Sequence, residues 1–493
     1  MLVATFLIAI SGLIFELLEG TISSYFMGDS VYHFSLVIGI FMSAMGVGAW
    51  LSRYIKEDII EAFIVLQMLI ALSGGFSAMI LFFAFAVIDN YEPFLYFETV
   101  LVGTMIGMEI PLIVRILKDY YSLRTNISNV FTMDYIGALF ASLLFPMVLL
   151  PHLGLLQSSL FIGIINTGVA LLVWYIFRKN LNRNLLIYIG LVSIALLSGF
   201  VYASSFESYI QNRLYKDNVL YTHTTPYQTI TITGDNKRVT LFINGSVQFD
   251  SLDEYRYHES LIHPPLSAIR KRENILVIGG GDGLAVRELL KYKDIKSITL
   301  VDLDPAMTKI FRKNIKLKEL NKNSLNNSKV TIINQDAWKF LEHNNKIYDA
   351  IVIDLPDPDN ISLSRLYSVT FYTLVKKHLS NMGVVVVQAT SPLFAPKAFY
   401  SIVKSIKTTG LNVYPYHTYV PSFGEWGFVM ASKYPLKPNP NKLPKDLKYI
   451  DNSSIKDIFK FPKDMQPVEV EPNRLMHHPL LKYYKEGWEK WYM

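Results

Sequence analysis

The sequence predicts a multi-pass α-helical membrane domain followed by a Rossmann-like α/β domain with a small β-hairpin unit at its N-terminal edge. Three observations predict it. First, charge is split along the chain. Residues 1–200 hold 8 of the 47 Lys and Arg and 12 of the 41 Asp and Glu, a balance of −4, which leaves 39 and 29, a balance of +10, for the rest. Second, apolar runs of about 20 residues, long enough to cross a bilayer, recur through the first half and then stop. Third, strand-like and helix-like segments alternate from there on, as in a parallel, doubly wound sheet.

Composition bounds the answer further. The 493 residues are 51% hydrophobic and only 18% charged, with a mean hydropathy of +0.27. Soluble proteins carry about 25% charged residues, so neither a disordered chain nor an ordinary soluble enzyme throughout fits. There is no cysteine, which excludes disulfides, thiolate catalysis and Cys-based metal sites. The expected division is a transmembrane domain over 1–206, a connector over 207–226, a β-hairpin unit over 227–253, a Rossmann-like domain over 254–434 and a tail over 435–493.

About seven membrane helices are expected, near 2–24, 34–54, 61–88, 94–117, 129–150, 154–177 and 184–205. The first lacks the basic flank of a cleaved signal and is followed at once by further spans. Ser73-Gly74-Gly75 predicts a kink in the third, and Pro151-His152-Leu153-Gly154 predicts a hairpin turn between the fifth and sixth. Basic loops (Arg53 and Lys56; Arg115, Lys118 and Arg124; Arg178, Lys179 and Arg183) alternate with loops around Asp29, Asp89 and Pro151 that lack Lys and Arg. The positive-inside rule puts the basic loops in the cytoplasm. Seven spans then carry the second half to the opposite face, where a ligand made inside cells would not reach it. The expectation adopted is a multi-pass protein of the cell membrane with its soluble half in the cytoplasm. Glu16, Glu19, Glu98, Glu109 and Asp134 fall in or near the spans. They read either as a path for a cation or as acids hydrogen-bonded to neighbouring helices.

In the second half, Tyr227–Thr233, Val239–Ile243 and Val247–Phe249 read as strands around turns at Gly234-Asp235-Asn236 and Asn244-Gly245. A helix is expected over Asp253–Ile269. Strands then follow at Asn274–Ile278, Ser297–Val301, Val330–Asn334, Tyr348–Ile353 and Gly383–Ala389, with helices between, and two later strands near 411–417 and 427–432. Ligands of such sheets bind beyond the carboxyl ends of the strands, and polar clusters stand at those ends. The turn Gly279-Gly280-Gly281-Asp282-Gly283 lets a backbone approach a ligand. Asp302, ending the next strand, suits the hydroxyls of an adenosine ribose. Asp336 suits the adenine amine, with the Ala337 N–H nearby. This succession fits a nucleoside without a pyrophosphate, in a domain of the methyltransferase type.

Asp282 places negative charge where the tail of a sulfonium nucleoside lies. It repels the carboxylate of S-adenosylmethionine and attracts the terminal ammonium of the decarboxylated form. Asp354 and Asp357, in Asp354-Leu355-Pro356-Asp357-Pro358, offer one carboxylate to take a proton from an attacking amine and another to hold a cation. Aspartates beside prolines are also common turn formers.

At these residues the sequence resembles the spermidine synthase family of polyamine aminopropyltransferases, over about 221–433. The blocks are Tyr227-Gln228, Asp253 to Glu259, His263-Pro264-Pro265-Leu266, Ile278 to Gly283, Val301 to Asp304, Asp336-Ala337, Asp354 to Pro358 and Gln388 to Pro392. The apolar first half and Pro421 to Phe428 are similar to the membrane-bound branch of that family. The resemblance implies that Gln228, Asp302, Asp336 and Ala337 hold the thioadenosine part, and that His258 and Asp282 contact an amine. It further implies that Tyr257 orients the attacking amine, Asp354 accepts its proton and Asp357 binds the polyamine. The substrates would be a polyamine such as putrescine and decarboxylated S-adenosylmethionine, with no tightly bound cofactor and no metal. Soluble relatives self-associate, which admits a homodimer. The family's hydroxyls beside the base are replaced here by Leu355-Pro356, a second glycine after Gly283 by Leu284, and a late tyrosine by Glu425.

Two other readings compete: a methyltransferase using S-adenosylmethionine, and a polyamine transporter or sensor whose soluble half only binds. Nucleic-acid binding is not expected, because the basic residues are scattered and no aromatic platform is interleaved with them.

Overall fold

The computed structural model describes residues 1–27, 30–88, 90–120, 122–179, 181–235 and 237–491; Asp29, Asp89 and Asn236 lie outside them. The chain divides into two compact units, Met1–Val219 and Leu220–Met493.

The first unit is a bundle of α1 (Leu2–Met27), α2 (Ser30–Leu51), α3 (Ile59–Val87), α4 (Glu92–Ile116), α5 (Leu123–Leu144), α6 (Leu150–Phe177) and α7 (Asn184–Leu214). Among the described residues six helical runs are long and apolar enough to cross a membrane. The fifth, Leu123–Phe177, joins α5 and α6 through a π-helical turn at Phe145–Leu149. Gly154 interrupts it with φ 68° and ψ −172°. Both ends of this run lie at one end of the bundle. Asn126 Nδ2 donates to Val114 O (2.7 Å), Arg115 Nη1 donates to Ser52 O (3.0 Å), and the Asn182 N–H reaches Glu61 Oε1 (3.1 Å). The run therefore turns back on itself, with the reversal carried by a π turn and one non-helical glycine, and the three basic loops gather at that end.

Two expectations need correction. α3 runs unbroken through Ser73-Gly74-Gly75; a Cβ on Gly74 or Gly75 would sit 2.7 Å from Phe15 or Leu196, so these glycines serve close helix packing. The connector is not a connector throughout, because α7 continues to Leu214 and a strand begins at Val219. Of the acids in or near these helices, Glu19, Glu98 and Glu109 are enclosed by protein, and Gln67 Nε2 donates to Glu109 Oε1 (2.5 Å).

The second unit opens with a four-stranded antiparallel sheet, β1 (Val219–Thr224), β2 (Thr229–Gly234), β3 (Val239–Ile243) and β4 (Ser246–Asp250), in that order. Next come α8 (Glu254–Ala268), β5 (Asn274–Gly279), α9 (Leu284–Leu289), β6 (Ser297–Asp302), α10 (Pro305–Lys313), α11 (Ile315–Leu320) and β7 (Val330–Asn334). The chain continues with α12 (Ala337–His343), β8 (Tyr348–Asp354), α13 (Ile361–Ser364), α14 (Val369–His378), β9 (Leu379–Gln388), α15 (Pro396–Thr408), β10 (Asn412–Val420) and β11 (Gly424–Ser432). It ends in α16 (Ser454–Asp457) and α17 (Pro479–Trp488).

The large sheet has the order β10-β11-β9-β8-β5-β6-β7. β9, β8, β5, β6 and β7 run parallel, and β10 and β11 add an antiparallel edge. The parallel strands are Val- and Ile-rich because both faces are covered; Ile275, Val277, Ile298, Leu300, Val352 and Val386 face one core, and Leu276, Ile278, Val301, Ile351, Ile353 and Val387 the other. The tail folds back on this unit. Buried Glu259 accepts the backbone N–H groups of Lys448, Tyr449 and Ile450 (2.8–3.0 Å), and Leu480 of α17 is fully buried.

Candidate active site

Chain order along the sheet changes direction at β5, which has β6 on one side and β8 on the other. Such a switch point opens a crevice at the carboxyl ends, and the glycine turn fills it. Gly279 pairs with Asp354 across β5 and β8, and Asp302 with Asn334 across β6 and β7. Gly279 has φ 78°, and a Cβ there would overlap the Asp354 carbonyl. A Cβ on Gly281 would sit 2.5 Å from Asp302 Oδ2. The turn, with Gly280 and Gly283 completing it (Gly283 N–H to Gly280 O, 3.0 Å), is therefore wedged between the two acids, with Asp282 in the middle.

Asp354 lies at the centre. Tyr257, from α8, donates its hydroxyl to Asp354 Oδ1 (2.6 Å), while Oδ2 faces the Gly280 Cα. Next along α8 is His258, fully enclosed, whose Nδ1 meets Glu254 O (2.8 Å) and Glu254 Oε2 (2.9 Å). Burial alone would lower its pKa, but the bond and charge of Glu254, with Asp282 and Asp354 nearby, raise it to about 9. His258 is thus a cation at neutral pH, between Glu254 on one side and the two aspartates on the other. The carboxyls of Asp282 and Asp354 are both pushed up, chiefly by burial, with the His258 charge opposing. Asp282 holds its turn by accepting the Leu284 N–H (2.8 Å).

Behind His258 runs a buried ionic chain. Arg287 grips both oxygens of Glu254 (2.8 Å each) and Glu288 Oε1 (2.9 Å), and Glu288 Oε2 meets His263 Nε2 (2.9 Å). Burial works against ionised Glu254, yet His258 and Arg287 hold its pKa at about 2. Sequence reasoning quoted Glu254 and His263 without assigning them and passed over Arg287 and Glu288; charged residues at i, i+4 spacing inside an otherwise buried helix, Glu254 and His258, were the available signal.

At the end of β6, burial raises Asp302 to about 7, with the Asp304 and Gly281 N–H groups opposing and the charges of Asp304 and Asp282 adding. Gln228 is placed against Asp304. Its Nε2 donates to Asp304 Oδ2 (3.0 Å), a carboxylate that also takes the Thr225 hydroxyl (2.9 Å). Asp336 lines a cavity of about 650 Å³ with Tyr227, Leu303 and Arg365. Its Oδ1 caps α12 through the Lys339 N–H (3.0 Å) and its Oδ2 pairs with Arg365 Nη2 (2.5 Å). Ala337, the first residue of α12, is buried beside it.

At the other end, Asp357 accepts Gln388 Nε2 (3.2 Å) and the Thr390 hydroxyl (3.0 Å), and Tyr484 from α17 also reaches it. Burial raises it to about 7 against these three bonds. The loop before it is fixed by Tyr367, whose hydroxyl donates to Pro356 O (2.9 Å). Asp282, Asp302, Asp354 and Asp357 are each half-buried, and so penalised when ionised while part of each residue stays accessible. Glu425 is paired with His417 (2.5 Å).

Residues 254–441 match the family described as the spermine/spermidine synthase domain. The polyamine aminopropyltransferase of Leptospira interrogans is 43% identical, over 99% of this chain and 98% of that protein. The chain belongs to the polyamine aminopropyltransferase family. Polyamine aminopropyltransferase 2 of Ralstonia nicotianae is 40% identical over 99% of the chain and 98% of its own length. Spermidine synthase from Thermotoga maritima aligns at 24% identity with a TM-score of 0.46, over 50% of this chain and 87% of that one. Family membership makes the protein a transferase and takes away the ground for a binding-only second unit. The part of the site from Glu254 to Thr390 lies inside the matched domain; Thr225, Tyr227 and Gln228 precede it and α17 lies beyond its end.

Proposed function

We propose that the second unit transfers an aminopropyl group from decarboxylated S-adenosylmethionine to a diamine such as putrescine, releasing methylthioadenosine. The observation that carries this reading is the set of four aspartates, Asp302, Asp282, Asp354 and Asp357, at and just beyond the carboxyl ends of β6, β5 and β8, with His258 as the cation beside Asp282 and Asp354. Such a set is costly when empty and fits a dicationic sulfonium nucleoside next to an amine cation.

Asp302 takes the ribose and Asp336 with the Ala337 N–H the adenine, once Arg365 yields its hold. Gln228 acts through Asp304, as a positioning residue. Asp282 receives the ammonium of the aminopropyl tail and disfavours a carboxylate there. Asp354 takes a proton from the acceptor amine, and Tyr257 holds one of its oxygens so that the other meets the nitrogen. The nitrogen lone pair then attacks the carbon next to sulfur. The C–N bond forms, the C–S bond breaks with its electron pair going to sulfur, and the two protons left on nitrogen leave with the longer amine, a secondary ammonium. The leaving group is already a cationic sulfur, so holding the two reactants in line is the main demand on the protein. Release of methylthioadenosine from purified protein given both substrates tests the reading; no release with any diamine defeats it.

The first unit anchors the enzyme in the cell membrane. For the facing of the second unit two arguments oppose each other. The basic loops gather at the end of the bundle where α7 begins, so the positive-inside rule sends the end of α7 outward. The co-substrate, a charged nucleoside made inside cells, requires the cytoplasmic side, and we adopt that. Protease should then cut the second unit in inverted vesicles and spare it in intact cells; cutting only in intact cells overturns the assignment.

A further inference from the structure

We propose that the C-terminal helix α17 forms the far wall of the amine pocket and sets which acceptor amine is used, Tyr484 by holding Asp357 and Trp488 by closing the pocket beside Thr390. This rests on the transfer reading above.

α17 is docked tightly at that spot. A Cβ on Gly487 would come 2.6 Å from Ala395 Cβ and 2.7 Å from Ala395 Cα, so only glycine lets the helix sit on the segment that follows β9. This brings Trp488 to 5.2 Å from the Phe394 ring and 6.4 Å from the Trp426 ring, centroid to centroid. A relay then runs inward. Trp488 Nε1–H meets Thr390 Oγ1 (3.4 Å), whose own proton goes to Asp357 Oδ2 (3.0 Å), while Tyr484 supplies Asp357 with another bond. Thr390 pays for its place in this relay with a left-handed backbone, φ 53°, a strain that persists where surrounding structure enforces it.

The wall continues towards the base. Trp426 packs on Phe423 (4.9 Å), and Phe423 on Tyr257 (5.9 Å), whose hydroxyl holds Asp354. The Trp426 indole N–H is buried without a partner among the described residues. An aromatic row with a carboxylate at each end matches a flexible chain of methylenes with a cation at each end. Trp488 stands at the end of that row, so it limits how long the chain between the cations is. α17 lies outside the matched domain, which ends at residue 441; the pocket is thus completed by a tail element rather than by the domain itself.

The test uses full-length protein, decarboxylated S-adenosylmethionine and a panel of diaminopropane, putrescine, cadaverine and spermidine. In Trp488→Ala, KM for the preferred amine should rise roughly tenfold, the loss of one hydrogen bond and its packing, with kcat and the nucleoside KM changed far less. The ratio of kcat/KM values should move towards the longer amines, and Trp488→Phe should restore the original order. Tyr484→Phe, which removes only a hydroxyl and keeps the helix packed, should raise the amine KM several-fold without altering the nucleoside KM. Unchanged amine preference in Trp488→Ala together with unchanged amine KM in Tyr484→Phe overturns the proposal while leaving the transfer reading intact. If Trp488→Ala does not fold, Tyr484→Phe alone decides. A wild-type protein inactive on the whole panel overturns the transfer reading, and this proposal with it.

Discussion

Replacing Asp354 by Asn isolates the proton transfer from everything else in the site. The amide has the shape of the carboxylate, so its oxygen keeps the 2.6 Å bond from Tyr257. The backbone carbonyl still accepts the Gly280 N–H (3.0 Å). What is lost is the proton acceptor and one negative charge. General-base catalysis contributes roughly 100- to 10,000-fold, and kcat should fall within that range. The lost charge adds to the amine KM. A pair of unit charges about 4 Å apart is worth about 4 kcal/mol at an effective dielectric of about 20, but His258 already offsets part of Asp354's charge, so a rise of roughly tenfold is expected. Stability supplies the control. Burial raises the folded pKa of Asp354, so its ionised form costs the fold stability as pH rises through that value; Asn removes the cost, and the melting temperature at neutral pH should be equal or higher. The assay is methylthioadenosine release under saturating nucleoside, with calorimetry of nucleoside binding beside it. Full turnover in the variant, or a loss explained wholly by weaker nucleoside binding, would refute the base assignment.

Two further predictions follow from the same acids. Asp282→Asn keeps the turn bond to the Leu284 N–H but removes the charge aimed at the aminopropyl tail; affinity for the decarboxylated nucleoside should drop roughly 10- to 100-fold, as for a lost charged hydrogen bond, and calorimetry should find the gap to S-adenosylmethionine narrowed. An unchanged gap assigns the selectivity elsewhere. For pH, Asp357 sits at about 7 in the free protein, and holding the amine cation needs its ionised form. The value of kcat/KM for the amine should therefore climb between about pH 6 and pH 8, with kcat less affected because a bound cation favours ionisation. A flat profile over that interval removes this carboxyl from amine capture.

How far the sequence was readable depended on the range of the forces involved. The parallel strands were legible because burial on both faces leaves a run such as Ile275–Ile278 or Val384–Val387 with no polar residue to mislead. The glycine turn and the strand-end acids were legible because they are local in sequence. Partners distant in sequence were not. Nothing near Gln228 announces that its amide goes to Asp304, and nothing near Asp336 announces the Arg365 guanidinium. The extra strand β1 was missed because Val219–Thr224 is short, mixed in polarity and gains its pairing only from β2.

The same reasoning explains why the tail of the molecule carried no readable role. Residues 435–470 look like surface loops because many of their bonds to the domain are made by backbone groups, as at the Glu259 carboxylate, and backbone donors leave no mark on composition. α17 is amphipathic, a pattern equally suited to a sheet, a lipid surface or a partner. What separates these is the fit of Gly487 over Ala395 and the reach of Tyr484 to Asp357, both set by shape. Acceptor choice in this family member then depends on an element whose seat rests on that glycine, tyrosine and tryptophan, with Leu480 buried at its start. Substitution of the exposed Lys482 should be tolerated, while Tyr484, Gly487 and Trp488 should each change which amine is used before they change whether the nucleoside binds.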